Sequence, residues 1–179
     1  MTERSTDMTP QFTPDGQSVV YCNFDEKHSL YKIATRGGQP AKLFDEYRTV
    51  SSPAVSADGT RIAFSFARAQ TDSIRSGIAV ISVDDNRLLS TFDANISFGT
   101  IYERPTVQWS SDGRYLNYIR LENGVSNVCR IDTTNASVSE VTTFKSGRVF
   151  NYAFSPDGTR LAIARGNVES DVLVLKPTD

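Results

Sequence analysis

One short phrase is written four times in this chain. It reads Phe12-Thr13-Pro14-Asp15-Gly16, Val55-Ser56-Ala57-Asp58-Gly59, Trp109-Ser110-Ser111-Asp112-Gly113 and Phe154-Ser155-Pro156-Asp157-Gly158. The Asp-Gly pairs lie 43, 54 and 45 residues apart, a period that belongs to repeat architectures. Asp-Gly between apolar runs closes a hairpin, because Gly accepts positive φ and Asp bonds its own backbone. Pro14 and Pro156 preset φ for the same turn. The phrase constrains the fold far more than the function, and no part of the sequence names a reaction.

Strands follow from the turn. The apolar residue three before each Asp ends a strand A. Three residues after each Gly stand Val19, Ile62, Leu116 and Leu161; five after stand Tyr21, Phe64, Tyr118 and Ile163. Between them lie Val20, Ala63, Asn117 and Ala162. This period of two predicts a strand B with one bulky face and one small face. A strand C follows, marked by Leu30 and Ile33, Ile78 and Ile81, Val128 and Ile131, and Val172 and Leu175. Turns at Arg36-Gly37-Gly38, Asp84-Asp85-Asn86 and Thr134-Asn135 lead to a more polar strand D around 41–43, 87–92 and 138–142.

Four short antiparallel strands in each unit of this size make a propeller blade. The expected fold is all-β: a β-propeller of about four blades, at 9–44, 51–92, 105–143 and 150–175, in one domain and in an incomplete ring. The fourth unit lacks a strand D, which leaves its strand C as an open edge. Either the segment 1–8 closes the ring, or the chain is the C-terminal part of a larger propeller; the abrupt start at strand A favours the larger propeller. A chain that is complete could instead pair with itself through its open edges.

The second unit is longer, with its excess in a B-to-C loop, 67–76, and a D-to-A loop, 93–104. In a blade these loops share one face, and the Asp-Gly turns lie on the other. Insertions gathered on one face are where repeat proteins place binding.

Composition excludes several classes of function. At 39% hydrophobic and 22% charged, the chain suits a folded globular protein. A net charge of −2 gives no field drawing it to nucleic acid or anionic lipid. No apolar run reaches the roughly 20 residues of a membrane span, and residues 1–10 lack a signal-peptide core. Localisation is therefore unknown from the sequence; it is extracytoplasmic if the chain is the C-terminal module of a membrane-anchored protein. Cys22 and Cys129 fall in strands of different repeats and read as small buried hydrophobes. The single histidine, His28, has no metal-spaced companion, so no metal and no cofactor is expected. The turn residues Asp15, Gly16, Asp58, Gly59, Asp112, Gly113, Asp157 and Gly158 are structural, since nothing brings two carboxylates together. Asp84-Asp85-Asn86 lacks the spacing of a calcium loop.

A second recurrence points to a binding site. Arg4, Arg48, Arg104 and Arg148 precede the turn Asp by 11, 10, 8 and 9 residues, with Tyr47, Tyr102 and Phe150 nearby. Strand A is innermost in a propeller, so these arginines stand near the mouth of its central channel. Arg48, Arg104, Arg148, Tyr47 and Tyr102, joined by Arg68 and Arg75 of the long loop, form the expected ligand- or partner-binding set. A basic, aromatic rim suits an acidic peptide or a carboxylate.

The repeated aromatic-Ser-Pro-Asp-Gly-x-x-Leu/Ile-Ala phrase, with the following strand and Gly-Gly turn, resembles the TolB-type propeller repeat (the WD40-like, PD40-type class). The last third is similar to the C-terminal end of bacterial signalling proteins, in which a serine/threonine kinase or winged-helix domain precedes a TolB-like propeller. This rests on residues 124–128, 143–148 and 154–166 and on Ser170-Asp171-Val172. Cys129 stands where that pattern carries Trp. The resemblance implies a non-catalytic protein- or ligand-binding module, the sensory or interaction part of a larger bacterial signalling protein, with a protein or peptide partner. No kinase or helix-turn-helix signature is present. Two alternatives remain: the non-catalytic propeller of a prolyl-oligopeptidase-type hydrolase, whose Gly-x-Ser-x-Gly elbow is absent here, or a self-associating TolB-like periplasmic scaffold.

Overall fold

The computed structural model describes residues 6–24, 28–70, 73–96 and 106–167. All regular structure among them is β. Blade one is β1 (Asp7–Phe12), β2 (Ser18–Asn23), β3 (Ser29–Ala34) and β4 (Ala41–Phe44). Blade two is β5 (Thr49–Val55), β6 (Arg61–Gln70), β7 (Ser73–Ser82) and β8 (Leu88–Asp93). Blade three is β9 (Gln108–Trp109), β10 (Tyr115–Glu122), β11 (Val125–Asp132) and β12 (Val138–Glu140). Blade four contributes β13 (Arg148–Phe154) and β14 (Leu161–Gly166). Each sheet is an antiparallel meander in sequence order, the expected propeller architecture. The strand C expected near Val172 and Leu175, and the open edge with it, lie outside the described residues.

The alternation in each strand B decides how the blades stack. Ile62 and Phe64 pair across the sheet with Ile81 and Ala79, so these four share one face. They bury against Val20, Cys22 and Leu30 of blade one. The opposite face of blade two carries Ala54, Ala63, Ile78 and Val80, and it buries against Leu116, Tyr118, Cys129 and Ile131 of blade three. Val128 of blade three meets Val149 and Tyr152 of blade four, with Leu161 and Ile163 packed alongside. Between blades two and three, bulky residues of one blade thus enter the face of the blade before it that carries Ala54 and Ala63. Each fully buried Leu, Ile or Phe contributes about 1.5–3 kcal/mol by leaving water. Cys22 and Cys129 are unpaired and buried within these cores. Burial pushes the Cys22 thiol up to about 12.

Two expectations change. Segment 67–76 is not a loop: β6 and β7 continue as a paired ladder through Arg68↔Arg75 and Ala69↔Ile74 to Gln70↔Ser73. The polar segment is a two-stranded ribbon that extends the blade, with Ile74 exposed on it. Nor is segment 1–8 entirely spare. Asp7 and Met8 belong to β1 and pair with Asn23 and Cys22.

Candidate functional site

The four turns share one hydrogen-bond pattern. The hydroxyl two residues before the Asp donates to its Oδ1: Thr13 to Asp15 at 2.6 Å, and Ser56 to Asp58, Ser110 to Asp112 and Ser155 to Asp157 each at 2.5 Å. The same Oδ1 accepts the backbone N–H two residues on, at 3.0 Å in every turn. The hydroxyl in turn accepts the N–H that opens strand B, at 2.8–3.0 Å. The Gly sits at φ of 66–71° and donates to the Ser or Thr carbonyl. Hydrogen bonds to the charged form hold these carboxylates below the usual range. The Ser56 hydroxyl leads for Asp58, which falls to about 2; the Thr13, Ser110 and Ser155 hydroxyls lead for Asp15, Asp112 and Asp157. A carboxylate held this low is too weak a base to serve as a general base near neutral pH. The hydroxyl two before each Asp is the partner that the sequence reading passed over, although its recurrence was there to see.

Strand A of every blade faces a common space. A cavity of about 890 Å³ is lined by the residues six and four before each turn Asp. These are Thr9 and Gln11, Ser52 and Ala54, Thr106 and Gln108, and Asn151 and Ala153. Strand A is therefore innermost, as expected. The lining mixes hydroxyls and amides with apolar groups such as Val55, Trp109 and Phe154, and has few charges. Bulges shape it: the ladder slips between Met8 and Gln11, between Ser51 and Ala54, and between Val149 and Asn151. Thr9 and Ser52 take positive φ there, each 52° and each just before a proline. The two positions occupy the same register, so the strain is repeated and not accidental. Asn117, at the junction of blades three and four, is only 2% exposed and also borders the cavity. Its Nδ2 donates to the Gln108 carbonyl at 3.4 Å, and its Oδ1 has no hydrogen-bond partner. Trp109 borders the cavity too, and its Nε1 donates to the Ala54 carbonyl at 3.0 Å. The Arg61 guanidinium lies over its ring at 4.5 Å.

The residues expected to form a rim are placed as follows. Tyr47 is 7% exposed and packs in the core, 4.6 Å from Phe66 and edge-on to Phe44 at 5.1 Å. Arg68 lies over Tyr47 at 5.8 Å. Arg75, its cross-strand partner on the ribbon, makes a two-pronged ion pair with Asp93. Arg48 is exposed beside Tyr47, and Arg148 is half-buried at the start of β13. The fold thus brings Tyr47, Arg68 and Arg75 together at the base of the ribbon. None of these residues lines the 890 Å³ cavity. Arg4, Tyr102 and Arg104 lie outside the described residues.

Other features carry less. Asp132, 4% exposed, is held to about 2, first by its ion pair with Arg114 and then by Thr134. It fixes the turn after β11. His28 stands 4.6 Å from Phe24, and burial lowers its pKa. Among the described residues no cluster of three metal-ligating side chains occurs, and no helix is long and apolar enough to cross a membrane.

No protein-family model matches the chain. The chain is 28% identical over 174 residues to the uncharacterized peptidase YuxL of Bacillus subtilis (strain 168), covering 94% of this chain and 23% of that protein. It is 26% identical over 148 residues to the protein TolB homolog of Chlorobium luteolum, covering 82% and 31%. It therefore spans about a quarter to a third of the length of these two relatives. Among solved structures, the putative TolB from Agrobacterium tumefaciens superposes with a TM-score of 0.74 at 18% identity, covering 93% of this chain and 57% of that one. What the chain shares with these proteins is the fold: it is a TolB-like β-propeller.

Proposed function

We infer that the chain is a non-catalytic propeller module that binds a protein or peptide along its innermost strands. The observation that carries this reading is the cavity of mixed polar and apolar lining bounded by all four strands A. Its lining includes the amides of Gln11, Gln108 and Asn151, a group type that pairs with a peptide backbone, although Gln108 Nε2 also donates to the Tyr152 carbonyl and Asn151 Oδ1 accepts the Tyr152 N–H. The buried, unpartnered Oδ1 of Asn117 beside it has a donor still to gain. Arg48 and Arg148 stand at the starts of β5 and β13, outside the cavity lining; with Arg104, Tyr102, Tyr47, Arg68 and Arg75 they remain the sequence's candidates for an acidic partner. The likeness of the last third to signalling-protein propellers supports placing the module in a bacterial signalling protein. It would lie outside the cytoplasm where that protein is membrane-anchored.

Trp109 is the only tryptophan and borders the cavity, so its fluorescence reports occupancy. Titration with an acidic peptide library is expected to shift Trp109 emission, with members that bind Asn117→Leu and Gln108→Leu at least tenfold more weakly. Emission unchanged by every peptide, or binding unaffected by both variants, rejects the reading.

A second reading has its own support in the YuxL match, which covers nearly all of this chain. In it the propeller is the non-catalytic portion of a peptidase. The two part on one measurement: the peptidase reading requires a hydrolase domain in the same polypeptide, which the gene sequence surrounding this segment shows directly.

A further inference from the structure

Among the described residues that line the central cavity, Arg130 is the one cation. It lies on β11, directly across the ladder from Asn117 on β10. Both belong to the face of blade three that meets blade four. Ile119 and Val128, the next pair on that face, pack with Val149 and Tyr152. In blade two the same register holds Ala63 opposite Val80, both buried in the apolar core shared with blade three. Blade three replaces that apolar pair with an amide and a guanidinium. Such groups are costly to place beside an inter-blade core unless something pairs with them.

Within the chain the pairing is incomplete. Asn117 is 2% exposed, and its Oδ1 has no hydrogen-bond partner. Arg130 lies over the Tyr115 ring at 5.2 Å, and no carboxylate of the described residues forms an ion pair with it. Arg114 gives the contrast. It lies over the same ring at 5.0 Å, but Asp132 matches its charge with contacts of 3.0 and 2.6 Å. Lys32 holds the register of Arg130 in blade one. It stands outside the cavity lining, and its charge helps lower Asp15. The two carboxylates of the lining, Asp112 and Asp157, are already held by Ser110 and Ser155 and by backbone N–H groups.

We propose that Arg130 receives a carboxylate of the cavity's occupant, with Asn117 Oδ1 beside it to accept an amide N–H. The inference rests on the reading of the cavity as a peptide site and names the group selected there. A guanidinium stacks through the face of its plane and hydrogen-bonds through its edge, so contact with Tyr115 leaves its fork free for a carboxylate. The last residue of a peptide carries a carboxylate and an N–H close together; an acidic side chain supplies the carboxylate farther from the backbone. Selection for an acidic partner then lies at the junction of blades three and four, and not with Arg48 or Arg148.

NMR titration of the full chain tests this, followed at the Asn117 side-chain amide and the Arg130 Nε–H. Three probes are compared: N-acetyl-diglycine, charged at its terminus; N-acetyl-glycyl-glutamate amide, charged on its side chain; and N-acetyl-glycyl-glutamine amide, which is neutral. At least one charged probe is expected to give saturable shifts, and the neutral probe to bind about tenfold more weakly or worse. The charged probe that binds tells a terminal carboxylate from a side-chain one. Arg130→Gln should reduce the charged probe to the level of the neutral one, Arg130→Lys should fall between, and Arg87→Gln, on an exposed turn, should change nothing. Circular dichroism checks folding; if Arg130→Gln is unfolded, Arg130→Lys carries the comparison. Charged probes that never saturate overturn the proposal. So does a neutral probe that binds equally well, or an Arg130 variant that binds like the wild type. If longer peptides shift Trp109 emission regardless of Arg130, the peptide reading stands and this one falls. If the short carboxylates saturate and no longer peptide binds, the reverse holds.

Discussion

As pH falls from about 4 toward about 2, the turn aspartates take up protons in the unfolded chain before they do so in the folded one. Asp58 shows the sign: its folded value, about 2, lies below the unfolded value near 3.9. Its contribution is complete above the unfolded value and is lost as pH falls through the folded one. Asp58→Asn is therefore expected to lower Tm at pH 7. The gap to wild type should narrow steadily from pH 4 to pH 2, when thermal unfolding is followed at each pH. A gap that stays constant would assign the effect to shape and not to charge. The residue scale also shows where sequence reading stops short. Asp and Gly were legible because they recur as a pair. The Ser or Thr two positions earlier recurs just as faithfully, but only the coordinates show it bonding both the carboxylate and the strand that follows.

Gly77 makes the corresponding point for strands. It lies in β7, between β6 and β8, opposite Phe66 and Asp93. A Cβ there would collide with the Phe92 carbonyl and press on the Phe66 ring at 3.1 Å. Gly77→Ala is expected to destabilise the chain by about 1–3 kcal/mol through overpacking, read as a lower urea midpoint with unchanged slope. The ribbon beyond Gly77 was not legible as strands. Small and polar residues, as in Ala67-Arg68-Ala69-Gln70, offer no bulky apolar face to read, yet the backbone ladder continues because each added pair extends one already in register. The Arg75–Asp93 ion pair at its base joins residues 18 apart in sequence, a spacing that no local pattern announces.

For the whole molecule, the inter-blade cores dominate stability. Leu116 is fully buried between blades two and three, and Leu116→Ala is expected to cost about 2–5 kcal/mol. Val19 occupies the same register in blade one and is only partly buried, so Val19→Ala should cost about 1 kcal/mol or less. Denaturant unfolding of the two variants compares one register in two settings. Equal costs would mean that the blade faces are not what separates them.

The sequence alone determined the repeat, the turn, the two faces of each strand B and the innermost place of strand A. All of these follow from local chemistry: Asp-Gly closes a turn, and side chains alternate along a strand. The tertiary structure decided which of the equivalent positions matter. Phe12 and Trp109 share a register, as do Ala54 and Ala153, yet one of each pair is covered and the other is not. Tyr47 reads as a rim aromatic beside Arg48 and is a core residue, because Phe44 and Phe66 close over it. The central cavity joins four strands spaced over more than 140 residues. Burial and enclosure are properties of neighbours distant in sequence, and a repeat that writes the same local instructions four times cannot by itself say which copy has a neighbour.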